Sequence, residues 1–214
     1  MSWKVAGVVA AVAVYGAIVA RLGQDAETGT ATWDAARASG FAGYLLLWGS
    51  VVTGIGLHLR LRPRSTGLTW VFESHRILST LGLSFVAVHV VALLLDPVVT
   101  FSPVDGFVPF TSGYRPLQVG MGTIAMWLLV AVLASTALAG VLPLPAWRRL
   151  HYLSFPCFLL ALVHGLTGGS DSGQPAAAAI YAATAAVVGA MLVLRVVGRG
   201  WVGAAELPVA GEPR

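Results

Sequence analysis

Long apolar stretches dominate this chain of 214 residues and limit what it can fold into. A helix that spans a membrane needs about 20 mainly apolar residues. Six stretches qualify: 4–21, 41–59, 75–96, 118–142, 151–167 and 176–197. Only 10% of the residues are charged, whereas a soluble domain carries about a quarter. The sequence therefore predicts an all-α, polytopic membrane protein, a bundle of six transmembrane helices in a lipid bilayer.

The first stretch raises the question of a signal peptide, because Lys4 precedes an apolar run. We interpret it as an uncleaved span, since the run is longer than most signal-peptide cores and no small-x-small cleavage site follows closely. Three segments are expected: residues 1–40 with the first helix and an outer loop, 41–198 with the helical bundle, and 199–214 as a short cytoplasmic tail. The loop 97–117 contains four prolines and is expected to be ordered by turns, not by a helix.

The positions of lysine and arginine predict the orientation. With the N-terminus in the cytoplasm, the inner segments hold ten of the 13 basic residues, and the outer segments hold Arg21, Arg37 and Arg115. Cytoplasmic loops are enriched in such residues, so both termini are predicted to be cytoplasmic, in a cell membrane such as the bacterial inner or plasma membrane. The sequence pI is near 9.7, but the basic residues lie at the ends of apolar runs, so no nucleic acid is expected as a partner.

All five histidines lie in or at the edge of predicted spans, where an ionisable residue indicates function. His75 and His89 are 14 residues apart on the third span, and His151 and His164 are 13 apart on the fifth. Each separation is about 20 Å along a helix. Because these two spans run in the same direction, His75 and His151 share one depth, the inner pair, and His89 and His164 share another, the outer pair. The fifth histidine, His58, is expected at the cytoplasmic interface or in contact with a quinone or donor.

Two facing imidazoles suit a haem iron with both axial positions filled. Zinc or copper would need three or four ligands close together, and no Asp or Glu lies in the middle of a span. The sequence therefore predicts two b-type haems with bis-histidine ligation, one at each depth, and a quinone as a further candidate cofactor. Cys157, the one cysteine, cannot supply an iron–sulfur cluster, which needs about four thiolates, and is interpreted as a small apolar side chain.

Neighbouring residues suggest how a haem would fit. Ser79 and Gly82 share a helical face with His75, where small side chains would let a flat macrocycle approach the backbone. Phe155 and Phe158 either pack in the core or lie between the two haems. Thirteen residues leave His151 and His164 about 140° apart around a straight helix, and we expect Pro156 to kink the span and bring both rings to one side.

The arginines near the histidines have two possible roles. Arg76, Arg148 and Arg149 lie beside the inner pair, either to orient the protein against lipid headgroups or to pair with haem propionates, which suit a guanidinium. Arg115 is the corresponding candidate for outer propionates or an anionic substrate.

Two segments, "ESHRILSTLGLSFVAVH" and "WRRLHYLSFPCFLLALVHG", resemble the third and fifth helices of the ferric reductase-like transmembrane domain family. That family includes eukaryotic ferric reductases, the membrane half of NADPH oxidases and the haem subunit of a bacterial periplasmic methionine sulfoxide reductase. The resemblance covers roughly residues 41–195. It implies that His75 and His151 ligate the inner haem, that His89 and His164 ligate the outer haem, and that single electrons pass outward from the cytoplasmic side or the quinone pool.

The resemblance leaves the partners and the enzyme class open. The chain shows no flavin or nicotinamide domain, so a separate donor, a flavoprotein or a quinol, and an outer-face acceptor are expected for an electron-transfer oxidoreductase subunit. One alternative is a haem subunit that feeds a separate periplasmic reductase such as methionine sulfoxide reductase. Another is a haem-free transporter whose histidines carry protons or a metal ion, although proton relays normally include mid-span carboxylates.

Overall fold

The computed structural model describes residues 31–59 and 68–205, and the predicted first span, 4–21, lies outside these ranges. Within them the chain is helical and contains no β-strand. The helices, numbered in chain order, are α1 (Ala31–His58), α2 (Leu68–Leu94), α3 (Pro103–Phe107), α4 (Pro116–Ala137), α5 (Leu144–His151), α6 (Ser154–Gly168) and α7 (Pro175–Ala205).

Five helical segments are long and apolar enough to cross a membrane: Ala31–His58, Thr69–Leu94, Pro116–Ala137, Leu144–Gly168 and Pro175–Val197. Large apolar side chains such as Leu159, Val193 and Trp127 are exposed on their outer faces. A bilayer accommodates such faces, since lipid tails are as apolar as the side chains. The prediction of an all-helical, multi-pass membrane protein is confirmed for the described part of the chain.

Helices α1, α2 and α7 are longer than the apolar stretches that predicted them, whereas α4 ends at Ala137, before the predicted end at residue 142. Helix α1 begins at Ala31 instead of residue 41, so the predicted boundary after residue 40 falls inside a helix of the bundle. The predicted boundary after residue 198 likewise falls inside α7. Polar residues in the first turns of α1 continue the helix because they find partners: Arg37 pairs with Asp34 at 3.1 Å and with Asp171 of the α6–α7 loop.

The predicted fifth span is two helices instead of one kinked helix. Helix α5 ends at His151, and α6 begins at Ser154 after a break at Tyr152 and Leu153. Pro156 lies in the first turn of α6, where a helix tolerates its missing N–H. The break therefore re-phases the segment, and His151 and His164 belong to different helices.

The loop 97–117 contains a short helix, contrary to the prediction of turns alone. Ser102 precedes α3 and forms a reciprocal capping box with Asp105: the Asp105 N–H donates to the Ser102 hydroxyl, and the Ser102 N–H donates to the Asp105 carboxylate at 2.8 Å. Pro103 follows as the first helical residue, where proline is favoured. The Ser102 N–H and hydroxyl hold the pKa of Asp105 below its usual value.

Helix α1 is the centre of the bundle. It runs antiparallel to α2, with its start beside the end of α2, and it also packs against α6 and α7. The main cluster of buried side chains draws on α1, α4, α6 and α7, and its members are Tyr44, Leu47, Val51, Ile55, Leu129, Cys157, Phe158, Leu162, Tyr181 and Val188. The interpretation of Cys157 as a buried apolar residue agrees with its 1% exposure.

A buried carboxylate joins the start of α1 to the end of α2. Asp96 is 5% exposed, and it accepts the Thr32 hydroxyl at 2.9 Å and the backbone N–H groups of Val98 and Val99 at 3.0 and 2.8 Å. Three donors compensate the burial of the carboxylate, which would otherwise be costly.

We expect Asp96→Ala to destabilise the protein by about 1–3 kcal/mol, because it leaves buried donors without an acceptor. Asp96→Asn should retain much of the stability, since its side-chain oxygen can still accept the two backbone N–H groups. Glu73→Ala removes a carboxylate from a surface pair with Arg76 and should have a smaller effect. Thermal unfolding in detergent measures all three, and an Asp96→Ala variant as stable as Glu73→Ala would contradict this role.

Candidate functional site

The four mid-span histidines meet in two pairs. The ring centroids of His75 and His151 are 6.0 Å apart with 66° between the ring planes, and those of His89 and His164 are 6.2 Å apart with 76° between the planes. His75 and His89 come from α2, whereas His151 ends α5 and His164 lies in α6. The structure thus places together the inner and outer pairs that the spacing predicted. Among the described residues, no three His, Cys, Asp or Glu side chains form a group that could hold a metal ion.

Three of the four imidazoles are oriented by a backbone carbonyl on a neighbouring helix. Nδ1 of His89 lies 2.7 Å from the Ala36 oxygen, Nδ1 of His75 lies 2.8 Å from the Ser50 oxygen, and Nδ1 of His164 lies 2.8 Å from the Gln118 oxygen. A carbonyl can only accept, so Nδ1 donates its proton in each case. Nε2 then keeps its lone pair, which is the tautomer that binds a metal ion.

Each of these rings also lies against a glycine. A Cβ at Gly40 would be 2.8 Å from Nδ1 of His89, a Cβ at Gly54 would be 3.1 Å from Cε1 of His75, and a Cβ at Gly122 would be 2.8 Å from the His164 ring. In all three cases the glycine lies four positions, about one helical turn, after the residue whose carbonyl oxygen accepts the imidazole proton. The missing side chain lets the imidazole reach the backbone of the adjacent helix.

The separation of the paired rings fits a shared metal ion. With metal–nitrogen bonds of about 2 Å and each centroid about 1 Å behind its nitrogen, two opposed imidazoles would have centroids roughly 6 Å apart. The observed distances are 6.0 and 6.2 Å. Because each pair consists of two imidazoles from different helices, a metal ion held between them would need its remaining ligands from another molecule, and a planar tetradentate macrocycle provides four.

His151 is held differently from the other three histidines. Its ring stacks on Trp147, with centroids 5.1 Å apart and 25° between the planes. Neither Nδ1 of His151 nor Nε1 of Trp147 has a hydrogen-bond partner among the residues that the structure describes, although both atoms are buried. In the inner pair, the His75 ring is therefore anchored by a hydrogen bond, whereas the His151 ring is held by stacking on Trp147.

The outer pair lines a cavity of about 230 Å³ between α1, α2, α4, α6 and α7. Both outer histidines and the glycines beside them face it, and its remaining lining is mainly apolar. Near its outer end lie Arg37, paired with Asp171, and Arg115. The Arg115 guanidinium donates to the carbonyl oxygens of Thr167 and Gly168 at 3.2 and 3.4 Å. Two cationic groups thus lie at the outer end of this cavity.

Two small residues predicted to face a macrocycle instead pack α2 against α1. The Ser79 hydroxyl lies 2.7 Å from the Ser50 hydroxyl. Gly82 is buried, and a Cβ there would lie 3.7 Å from the Leu47 nitrogen and 3.8 Å from the Gly43 oxygen. The close approach that their small size permits is therefore between two helices.

The predicted inner arginines are exposed, and the predicted aromatic residues contact other aromatic or cationic side chains. Arg76 is exposed and pairs with Glu73 at 3.1 Å, and the last turn of α5 carries two exposed arginines, Arg148 and Arg149. Phe158 stacks on Tyr44 in the core. Phe155 is half-buried, packs against the core cluster and lies beside Tyr152 and Arg195. His58 is exposed at the end of α1.

The sequence interpretation missed the glycines, although they carry a readable signal. Gly40 and Gly54 are 14 residues apart, the same separation as His75 and His89 on the antiparallel neighbour. Comparisons with protein-family models, with curated proteins and with solved structures found no match.

We expect Gly40→Ala and Gly122→Ala to destabilise the protein, because the new methyl group would overlap an imidazole and overpacking typically costs about 1–3 kcal/mol. Gly189→Ala is the matched control: apart from the backbone of its own helix α7, no described atom lies within 4 Å of that Cβ. Alanine is the better helix former, so this control should be neutral or slightly stabilising. Thermal unfolding in detergent measures the difference, and equal behaviour of the three variants would contradict the packing of the rings on glycine.

Proposed function

We propose that this chain is a transmembrane di-haem cytochrome b of the ferric reductase-like kind, which passes single electrons between the two faces of a cell membrane. The observation that carries the proposal is the presence of two imidazole pairs at metal-sharing distance, with three of the four rings fixed as Nδ1–H tautomers. In this proposal the chain has six spans with both termini in the cytoplasm.

Haem fits these residues better than a bare metal ion does. Structural zinc sites use four protein ligands, whereas each pair here offers two imidazoles, from two different helices. Haem needs only axial ligands from the protein, and it supplies reversible one-electron chemistry when bound. The outer cavity beside His89 and His164 gives apolar surroundings in which a macrocycle could lie.

The protein groups around each histidine pair would set the orientation and basicity of the ligands and would pair with the haem propionates. Hydrogen bonds from Nδ1 to the Ser50, Ala36 and Gln118 oxygens hold three rings in orientation and raise the basicity of Nε2. Arg115 and Arg37 at the outer end of the cavity suit the carboxylates of outer propionates. Arg76 and Arg149, both exposed near the inner pair, are the proposed partners of inner propionates or of lipid headgroups.

The two depths support transfer across the bilayer. His75 and His89 are 14 residues apart on one helix, about 20 Å along its axis. The arginine distribution predicts that the inner pair is the cytoplasmic one. A flavoprotein or a quinol would supply electrons there, and an acceptor on the outer face would receive them. The sulfoxide-reductase type of partner remains one candidate for that acceptor.

Purification tests the proposal directly. Expressed in cells supplied with haem precursor, the protein should be red, contain about two b-type haems per chain, and show the reduced spectrum of low-spin haem. Haem is quantified as its pyridine complex against protein from amino-acid analysis. A folded, colourless preparation would contradict the proposal and would favour the haem-free transporter.

Single-ligand variants should separate the two sites. We expect His89→Ala and His164→Ala each to remove the outer haem, so that the ratio falls from about two to about one per chain, because both outer rings are anchored and neither has a substitute. His58→Ala changes an exposed histidine at the end of α1 and should keep the parental ratio. Equal loss of both haems in the outer variants, with the fold retained, would refute separate sites.

A further inference from the structure

The inner pair is asymmetric in its anchoring. Nδ1 of His75 donates to the Ser50 carbonyl oxygen at 2.8 Å, and the Ser50 hydroxyl lies 3.2 Å from the same atom. For Nδ1 of His151 no partner lies within the described part of the chain. Hydrogen bonds of this kind orient a ligating histidine, and losing one typically weakens metal binding about 10–100-fold.

The reason for the difference is visible in α4. On α1, the carbonyl residue and glycine of the outer histidine, Ala36 and Gly40, recur 14 positions later as Ser50 and Gly54. On α4, the carbonyl residue and the glycine beside His164 are Gln118 and Gly122. Fourteen positions later, α4 has Val132 and Thr136. Thr136 stands where the pattern has a glycine, and it donates its hydroxyl to the Val132 oxygen at 2.9 Å. The fourth anchor of the pattern is therefore absent from α4.

The helix that carries His151 is also loosely packed. Helix α5 has eight residues, none of which is buried, and it ends at His151 immediately before the break at Tyr152 and Leu153. By contrast, α6, which carries His164, contributes Cys157, Phe158 and Leu162 to the buried core. A small movement of α5 would therefore disturb few contacts, whereas moving His164 would disturb the core.

We infer that His151 is an exchangeable ligand, and that in the reduced protein a small neutral gas such as carbon monoxide takes its place at the inner site while the outer site stays closed. The inference rests on the proposed haem function. In the exchange, the Nε2 lone pair of His151 would leave the haem iron and the electron pair of the gas would take its place, so no electron or proton would be transferred. His75 remains as the permanent axial ligand.

Carbon monoxide titration of the dithionite-reduced, full-length protein in detergent tests this inference. We expect about one carbon monoxide per two haems, with about half of the haem absorbance shifting. His164→Ala should keep only the inner haem, which His75 and His151 hold. Nearly all of the haem absorbance of this variant should therefore shift when carbon monoxide is added. Binding at neither haem or at both haems of the parent protein would overturn the inference.

Two variants of the inner pair distinguish the roles of its members. His151→Ala should retain the inner haem on His75, convert it to a high-spin form and bind carbon monoxide more tightly, whereas His75→Ala should lose it. Equal loss of inner haem in both variants would overturn the inference even if the parent binds two haems. A parent protein with no haem would instead end the proposed function, so the two failures are distinguishable.

Discussion

The hydrogen bond from an imidazole Nδ1 to a backbone carbonyl of the next helix is the interaction on which this site depends. It occurs at His75, His89 and His164, each time beside a glycine that lets the ring approach. One contact sets the tautomer, directs Nε2 away from the carbonyl and joins two helices. Inside a bilayer such a polar ring would be costly without this partner. Packing and ligand geometry therefore have a common origin.

Helix α1 provides two of these anchors and holds the bundle together. One of its faces supplies Gly40 and Gly54 to the histidines of α2, and another supplies Tyr44, Val51 and Ile55 to the buried core with α6 and α7. Apolar residues are spread around the whole circumference of α1, so their pattern in the sequence does not show which face meets which neighbour. The glycines identify the face of α1 that meets α2, because they mark where α2 approaches α1 most closely.

The sequence predicted the features that follow from composition and residue spacing. Apolar length predicted the spanning helices, and 14- and 13-residue separations placed His75 with His151 and His89 with His164. Three features escaped: the early start of α1, stabilised by the distant Asp171; helix α3, which its capping residues Ser102 and Asp105 define; and the division of the fifth span. The first depends on a tertiary partner and the second on a local cap, neither of which average hydropathy registers, and the third is a two-residue break at Tyr152 and Leu153.

The proposal that each pair holds one haem iron is tested most directly by electron paramagnetic resonance of the oxidised, purified protein at low temperature. Ring planes 66° and 76° apart predict two strongly anisotropic low-spin ferric signals, since two axial imidazoles give low-spin iron and near-perpendicular planes increase the anisotropy. A spectrum without low-spin ferric haem, from protein whose fold is intact and whose cells were supplied with haem precursor, would contradict the account.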